Sequence, residues 1–460
     1  MSLDQDRLDE VLARVDAQLP DSLDRLMELL RIPSISTDPA FAGDCNRAAD
    51  WLVDELTAIG FEASKRSTPK HPMVVAHSGS TGPHLLFYGH YDVQPVDPLN
   101  LWDRDPFDPQ LEDTPAGKVI RGRGSADDKG QLMTFVEACR AWKAVTGTLP
   151  GRLTIFFEGE EESGSPSLVP FMKENAEELK ADIALICDTG MFGDTPAIVT
   201  QLRGLVGQEV ILTGADKDLH SGSFGGIAIN PIRVLAGIIA GLHDESGSIT
   251  LPGFYDGVPE LSDEMRAQWQ RLAFDSADFL GQVGLSVPAG ETDRTPLEMI
   301  WSRPTCEVNG ISGGYEGAGF KTVLPSKASA KISFRLVGTQ DPKKIAAAFQ
   351  DYVRSRLPAD VKVEFKDHSA SAASQVQISN PAFEKARRAL SDEWEIPAAY
   401  IGAGGSIPIA GYFQHILHTD PMLIGFGKDD DQIHSPNEKY DLESYHKGIR
   451  SWVRILSALT

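Results

Sequence analysis

Apolar and polar residues alternate along this chain with two different periods, and the change of period marks its organisation. Leu8, Val11, Leu12 and Val15 stand at helical spacing, which predicts a helix over residues 5–31. "NRAADWLVDELTAIG" predicts a second helix from Asn46, with Gly60 as its C-terminal cap. Strand-like apolar runs follow at 73–77, 84–92 and 118–122. "DKGQLMTFVEACRAWKAV" reads as a long amphipathic helix, while "GRLTIFFEGEEE" and "ADIALICDTG" read as buried strands running into acids. Strands alternating with helices predict an α/β fold with a mainly parallel sheet flanked by helices. The polar groups fall at strand ends, where such folds place their sites.

The pattern changes after about residue 207. "GQEVILTGAD" and "SKASAKISFRLVG" alternate with period two, and "NPIRVLAGIIAGLHD" is a helix between them. This predicts an inserted α+β domain over 208–372, between the two parts of the α/β domain at 1–207 and 373–460. A polar, Pro- and Gly-rich excursion at 246–300 lies inside it. The α/β pattern resumes with the helix "NPAFEKARRALSDEW", strands near 398–401 and 421–426, and the closing helix "DLESYHKGIRSWVRILSAL".

Bulk composition narrows the function. A chain of 460 residues holds two or three domains. Its net charge of −23 argues against nucleic acid or an anionic membrane as the main partner. Cys45, Cys139, Cys187 and Cys306 are far apart and form no CxxC, which favours a reducing compartment over a disulfide framework. No run approaches the roughly 18 apolar residues of a spanning helix, and the acidic N-terminus lacks the features of a secretory signal. A cytoplasmic location is expected.

Five stretches carry candidate chemistry. In "HLLFYGHYDVQPVD" a buried strand ends at His90, and alternation puts Asp92 on the same side of the chain. "GRGSADDKG" sets Asp127 and Asp128 in a Gly-rich turn before a helix. "FEGEEESGS" places Glu160, Glu161 and Glu162 at a strand end, "CDTG" places Asp188 at another, and "DQIHSPNE" carries His434 in a loop. Singly, each has an ordinary reading: a helix cap for Asp127, a solvated loop for the Glu triplet, a turn for Asp188, a surface histidine for His434. Together they crowd like charges into one pocket, and carboxylates so placed rise in pKa unless cations neutralise them. Two imidazoles and several carboxylates suit zinc, and a shared carboxylate would serve two metals for hydrolysis.

With "GHYDVQP", "GRGSADDKG", "EGEEESGS", "DLHSG", "KISFRL", "GGSIP" and "IHSPNE" in this order, the chain resembles the M20 metallopeptidase family and its dipeptidase branch over almost its whole length. The resemblance implies a zinc-exopeptidase-like catalytic domain and an inserted lid and dimerisation domain. It implies His90, Asp127 and Asp188 around one divalent metal and Asp127, Glu162 and His434 around a second, with zinc expected and manganese or cobalt as alternatives. Asp92 would orient His90, Glu161 would be the general base, and the Asp127–Asp128 peptide would be cis. His220 in "DLHSG" would reach the neighbouring subunit's site in a homodimer. Arg335 would bind the substrate carboxylate, with Thr322, Gly405, Ser406 and His368 as further substrate contacts. Ala403 in "GAGGSIP" stands where such dipeptidases often carry an acid for the substrate amine. The implied activity is hydrolysis of dipeptides or dipeptide-like amides with a free carboxylate. An N-acyl-amino-acid deacylase and a silent binding protein are the competing readings.

Overall fold

The computed structural model describes residues 5–376, 378–405 and 408–460. They form two compact units, one of residues 1–200, 376–401 and 412–460 and the other of residues 201–375 and 402–411.

In the first unit the strands Glu62–Arg66, Met73–Ser78, Arg152–Glu158, His84–His90, Ile183–Ile186, Asp420–Leu423 and Ala197–Leu202 lie side by side in that order. The four strands from Arg152–Glu158 to Asp420–Leu423 pair in parallel. The margins on both sides are antiparallel, so the sheet is mixed and its parallel part is the centre. The central strands are buried along their length, as expected where helices cover both faces. The helices Gln5–Leu30, Ala42–Ile59, Lys129–Thr146, Pro381–Trp394 and Leu442–Leu459 belong to this unit. The second of these begins four residues before the expected Asn46, and Gly60 closes it at φ +108°. Among the described residues no helix is long and apolar enough to cross a membrane.

Three rings knit the sheet centre to its helices. Phe87 of the central strand stacks on Phe135 at 3.9 Å between centroids. Trp452 of the closing helix meets both edge-on at 5.5 Å. Its indole N–H donates to Thr134 Oγ1 at 3.0 Å, so the buried polar atom of the ring is satisfied. The helix carrying Phe135 starts immediately after Asp127 and Asp128. Its first residue, Lys129, is buried and donates to the carbonyls of Leu29 and Ile32 at 3.1 and 2.6 Å, at the end of the N-terminal helix. Gly130 permits the turn before it, because a Cβ there would lie 1.8 Å from the Ser125 carbonyl oxygen.

The second unit holds an antiparallel sheet in the order Thr305–Gly313, Lys327–Leu336, Gly204–Thr213 and Lys362–Ser371. Strict alternation of burial along Gly204–Thr213 and Lys327–Leu336 turns one face toward a core with Val210, Ile332, Phe334 and Phe349. The helices Pro231–Ala240 and Pro342–Arg354 pack on the strands of this sheet. The 246–300 excursion contains the short helices Asp263–Arg271 and Ser276–Gly281, and Pro296–Trp301 follows. Residues 402–411 group with this unit rather than with the chain that precedes and follows them. The Arg203 amide donates to the Gly405 carbonyl, and Gly402 backs onto Trp301.

Truncation of Phe135 removes the stacked partner of Phe87. Phe135→Ala is expected to cost about 3–5 kcal/mol of stability. Denaturant unfolding followed by far-UV circular dichroism checks this, and a loss below about 1 kcal/mol would mean the stack contributes little.

Candidate metal centre

Parallel register brings the candidate acids to one rim. His90 pairs with Glu158, and Tyr88 with Ile186, so the three strands release their following residues side by side. The His90 ring is buried, with Nε2 3.1 Å from Asp127 Oδ1. Its Nδ1 lies 3.1 Å from the Asp92 carbonyl oxygen and 3.5 Å from the Asp92 carboxylate. Asp92 thus faces His90 with its main chain more closely than with its acid. Its carboxylate instead accepts the amides of Glu161 and Glu162 at 3.2 and 3.0 Å, tying the end of one strand to the loop after the next.

The three consecutive glutamates have three different surroundings. Glu160 is buried and accepts from the His71 amide, Thr68 Oγ1, and the Ser167 amide and hydroxyl at 2.8–3.0 Å. Glu162 accepts from Gln94 Nε2 at 2.6 Å and lies 3.3 Å from His434 Nε2. Burial pushes the Glu161 carboxyl up to about 7 against the pull of His90, and the charges of Glu162, Asp92 and Asp127 add to the rise.

Asp127 lies between the two histidines, with His434 Nε2 2.9 Å from Oδ2. Burial alone would raise its pKa, yet the hydrogen bonds from His434 and His90 hold it well below the usual carboxylate range. The same contacts, with Asp127 first and Glu162 second, raise His434 to about 10. Asp188 is driven far upward by burial, and the charges of Asp127, Glu161 and Glu162 add to the shift against the pull of His90. His434 itself sits in the left-handed region at φ +62°, an uncommon backbone for a residue with a Cβ. The Asp127–Asp128 peptide is cis.

The loop that carries Asp127 hangs on Glu438. This buried acid accepts the amides of Ala126 and Asp127 on Oε1 at 2.9 and 3.1 Å. On Oε2 it accepts Arg123 Nη1 and the Gly124 amide at 2.7 and 3.0 Å. Burial still pushes its carboxyl up to about 7 against the attraction of Arg123. Sequence reasoning passed over Glu438 and Gln94, although both stand inside the "IHSPNE" and "GHYDVQP" stretches.

The donor atoms form two groups, His90–Asp127–Asp188 and Asp127–Glu162–His434, each with all its atoms within 4.8 Å of one another. Imidazole nitrogen and carboxylate oxygen suit zinc and similar divalent ions. A set of three acids and two imidazoles, with His90 buried, the acids partly buried and His434 exposed, fits a pair of cations chemically, because the positive charge offsets the mutual repulsion of the acids.

The other expected residues lie in the second unit. His220 pairs with Val323, and the Ser221 amide donates to the Thr322 carbonyl at 3.0 Å, so His220 and Thr322 are neighbours. The exposed His220 ring accepts the Gly222 amide on Nδ1 at 3.0 Å. Arg335 lies on Lys327–Leu336, opposite Leu205 and Thr305. Gly405 is bonded to Arg203 through its carbonyl oxygen. His368 lies on another strand, with Nε2 3.7 Å from Glu209 Oε2. Ser406 lies outside the described residues.

A family model described as Peptidase family M20/M25/M40 matches residues 86–458. The chain belongs to this family. It is therefore a peptidase. It is 32% identical over 455 residues to the Cys-Gly metallodipeptidase DUG1 of Candida albicans, covering 94% of this chain and 93% of that protein. It is 29% identical to the Beta-Ala-His dipeptidase of Homo sapiens, covering 96% and 91%. Among solved structures, the M20 family metallo-carboxypeptidase Sso-CP2 of Sulfolobus solfataricus superposes with a TM-score of 0.80 at 30% identity, covering 95% of this chain and 99% of that one.

Replacing one Glu438 oxygen by an amide group leaves a buried donor without an acceptor. Glu438→Gln is expected to cost roughly 1–3 kcal/mol of stability. By loosening the Asp127 loop it is also expected to weaken divalent-metal affinity about 10–100-fold in a competition titration. Wild-type metal affinity in a folded Glu438→Gln protein would contradict this dependence.

Proposed function

We propose that the chain is a dinuclear metal-dependent dipeptidase, cleaving the amide bond of dipeptides with a free C-terminal carboxylate. The observation that carries this reading is the pair of donor groups sharing Asp127. His90, Asp127 and Asp188 would hold one ion, and Asp127, Glu162 and His434 the other. Zinc is the proposed metal, because imidazole and carboxylate donors in threes leave further coordination positions open to water or substrate. When bound, two such ions supply Lewis acidity and positive charge at the rim.

The chain's own residues do the rest. Asp92 fixes the His90 ring through its carbonyl and keeps the Glu161–Glu162 segment in place through its carboxylate. Glu161 is the proton carrier. Its carboxylate takes a proton from the attacking water and passes it to the leaving amine. Gln94 holds the Glu162 carboxylate, and Glu438 holds the Asp127 loop, so both donors are oriented beforehand. Arg335 would anchor the substrate carboxylate with its planar fork, and Thr322, Gly405, Ser406 and His368 are the remaining substrate candidates.

The second unit is proposed as the lid and dimerisation domain of a homodimer. Its strand Thr305–Gly313 lies at the edge of its sheet and exposes Ile311, and the same unit exposes Ile227 and Phe320. His220 would serve the partner's centre. The four free, buried cysteines suit a reducing compartment, and a cytoplasmic location is part of this proposal.

Two experiments test it. Glu161→Gln is expected to lower kcat on a good dipeptide by about 10²–10⁴-fold while the metal content stays at two ions per chain. Near-wild-type turnover with metal bound would remove Glu161 from the role of base. Equimolar mixing of inactive His220→Ala and Glu161→Gln homodimers is expected to restore activity, because hybrid dimers regain one intact centre. Failure to regain any activity despite measured subunit exchange would refute the cross-subunit role of His220.

A further inference from the structure

At the end of the first unit's sheet away from the donor cluster, two histidines share one hydroxyl group. Thr154 pairs with His77 on the strand Met73–Ser78, and His84 begins the strand on its other side. His77 Nδ1 lies 3.0 Å and His84 Nε2 2.7 Å from Thr154 Oγ1. Each ring has a second partner. His77 Nε2 lies 2.9 Å from Glu178 Oε1 in the short helix Ala176–Leu179. The His84 ring also bonds the Lys180 main chain, through Nδ1 because Nε2 is occupied. That bond favours the charged ring, so the Lys180 carbonyl is the acceptor.

The chain of groups runs Glu178–His77–Thr154–His84–Lys180, and each of its four contacts needs one proton. Its ends, a carboxylate and a carbonyl, supply none. Two neutral imidazoles and one hydroxyl supply three. All four bonds exist together only when one ring is an imidazolium. The surroundings decide which ring that is. Thr154 and His84 are buried, while His77 and Glu178 reach solvent. Arg66 Nη2 meets the same Glu178 oxygen at 2.8 Å, and Glu62 stands opposite His77 on the neighbouring strand. Around His84 are Arg152 on the strand beside it and Asp182, whose carboxylate accepts the His84 amide at 2.8 Å. Burial first, then the charge of Arg152, hold His84 below the ordinary histidine range, against Asp182 and the Lys180 bond. The solvent-facing ring beside a carboxylate is the better place for the fourth proton.

We propose that His77 is a proton-operated clasp between the sheet and the helix Ala176–Leu179. As an imidazolium it donates to both Glu178 and Thr154. The hydroxyl then donates to His84 Nε2, and His84 Nδ1–H to the Lys180 carbonyl. As a neutral ring His77 keeps its proton toward Glu178, and lone pairs face each other across the His77–Thr154 contact. That contact opens, because it is the one nearest water and the buried bonds of His84 have no substitute. The clasp is therefore closed below the pH at which His77 titrates and open above it. The residues it fastens lie between Glu162 and Asp188 in the chain, in the stretch that joins two of the donors.

Hydrogen exchange and NMR of the histidine ring nitrogens test this on the metal-loaded full chain, at about pH 5.5 and about pH 8. The Leu179 amide donates to the Asn175 carbonyl at 3.0 Å. It is expected to be about three- to tenfold better protected at the lower pH, after correction for intrinsic exchange. There His77 is expected to carry both ring protons, while His84 stays neutral with its proton on Nδ1 at both pH values. His77→Gln changes a partly exposed side chain and is expected to abolish the difference in protection. Thr154→Val removes the shared hydroxyl and is expected to reduce the difference to about twofold or less. Equal wild-type protection at the two pH values, or a charged His84 in place of a charged His77, overturns the inference. A full difference retained in Thr154→Val leaves a plain His77–Glu178 ion pair and overturns the clasp as well.

Discussion

Six carboxylates, Asp92, Asp127, Asp128, Glu161, Glu162 and Asp188, crowd the end of the parallel centre of one mixed sheet, and the cost of holding their charge away from water shapes the first unit. Each buried acid needs hydrogen bonds, an opposite charge or a proton. Asp92 accepts two main-chain amides, and Asp128 accepts the His90 amide at 3.1 Å. Asp127 lies between two imidazoles. Asp128, despite that one bond, rises in pKa with Glu161 and Asp188, burial being the largest cause for each. A cluster with that distribution binds cations with a large gain, since the ions offset repulsion already built into the fold.

Adjacent residues divide this work because a strand end turns sharply. Glu160 points into the protein and fastens its loop to residues 68–71 and Ser167, while Glu162 points into the donor cluster. The same division separates Asp127 from Asp128. Outside the cluster, Glu438 gathers three amides and Arg123, so the loop of one sequence region is held by an acid from the far end of the chain. The Asp127 loop is therefore held by main-chain amides and one buried ion pair, and neither Glu438 nor Arg123 belongs to the two donor groups.

The second unit solves a different problem. Its sheet buries one face, and Arg203 and Arg335 stand apart from that core. The excursion is long and polar in sequence, yet Phe274, Phe279 and Leu280 from it line a cavity of this unit. The segment at 402–411 belongs with this unit because Arg203 bonds to Gly404 and Gly405, a contact invisible to any periodicity argument.

Much of the frame was legible from sequence. Long apolar runs ending in acids announced the central strands at His84–His90 and Arg152–Glu158, because a strand covered on both faces has no room for polar residues until it leaves the sheet. The motif order carried the donor residues, and the two groups around Asp127 gather those same side chains. The antiparallel margins were not legible, since alternation reports burial and not strand direction. Nor was the closer approach of the Asp92 carbonyl than its carboxylate to His90. Sequence by itself determined which elements form and which chemical groups are present, because period and side-chain type are local. Only the tertiary structure decided which acids are structural and which are free, because Glu438 and Asp127 lie 311 residues apart and meet through amides that every sequence shares.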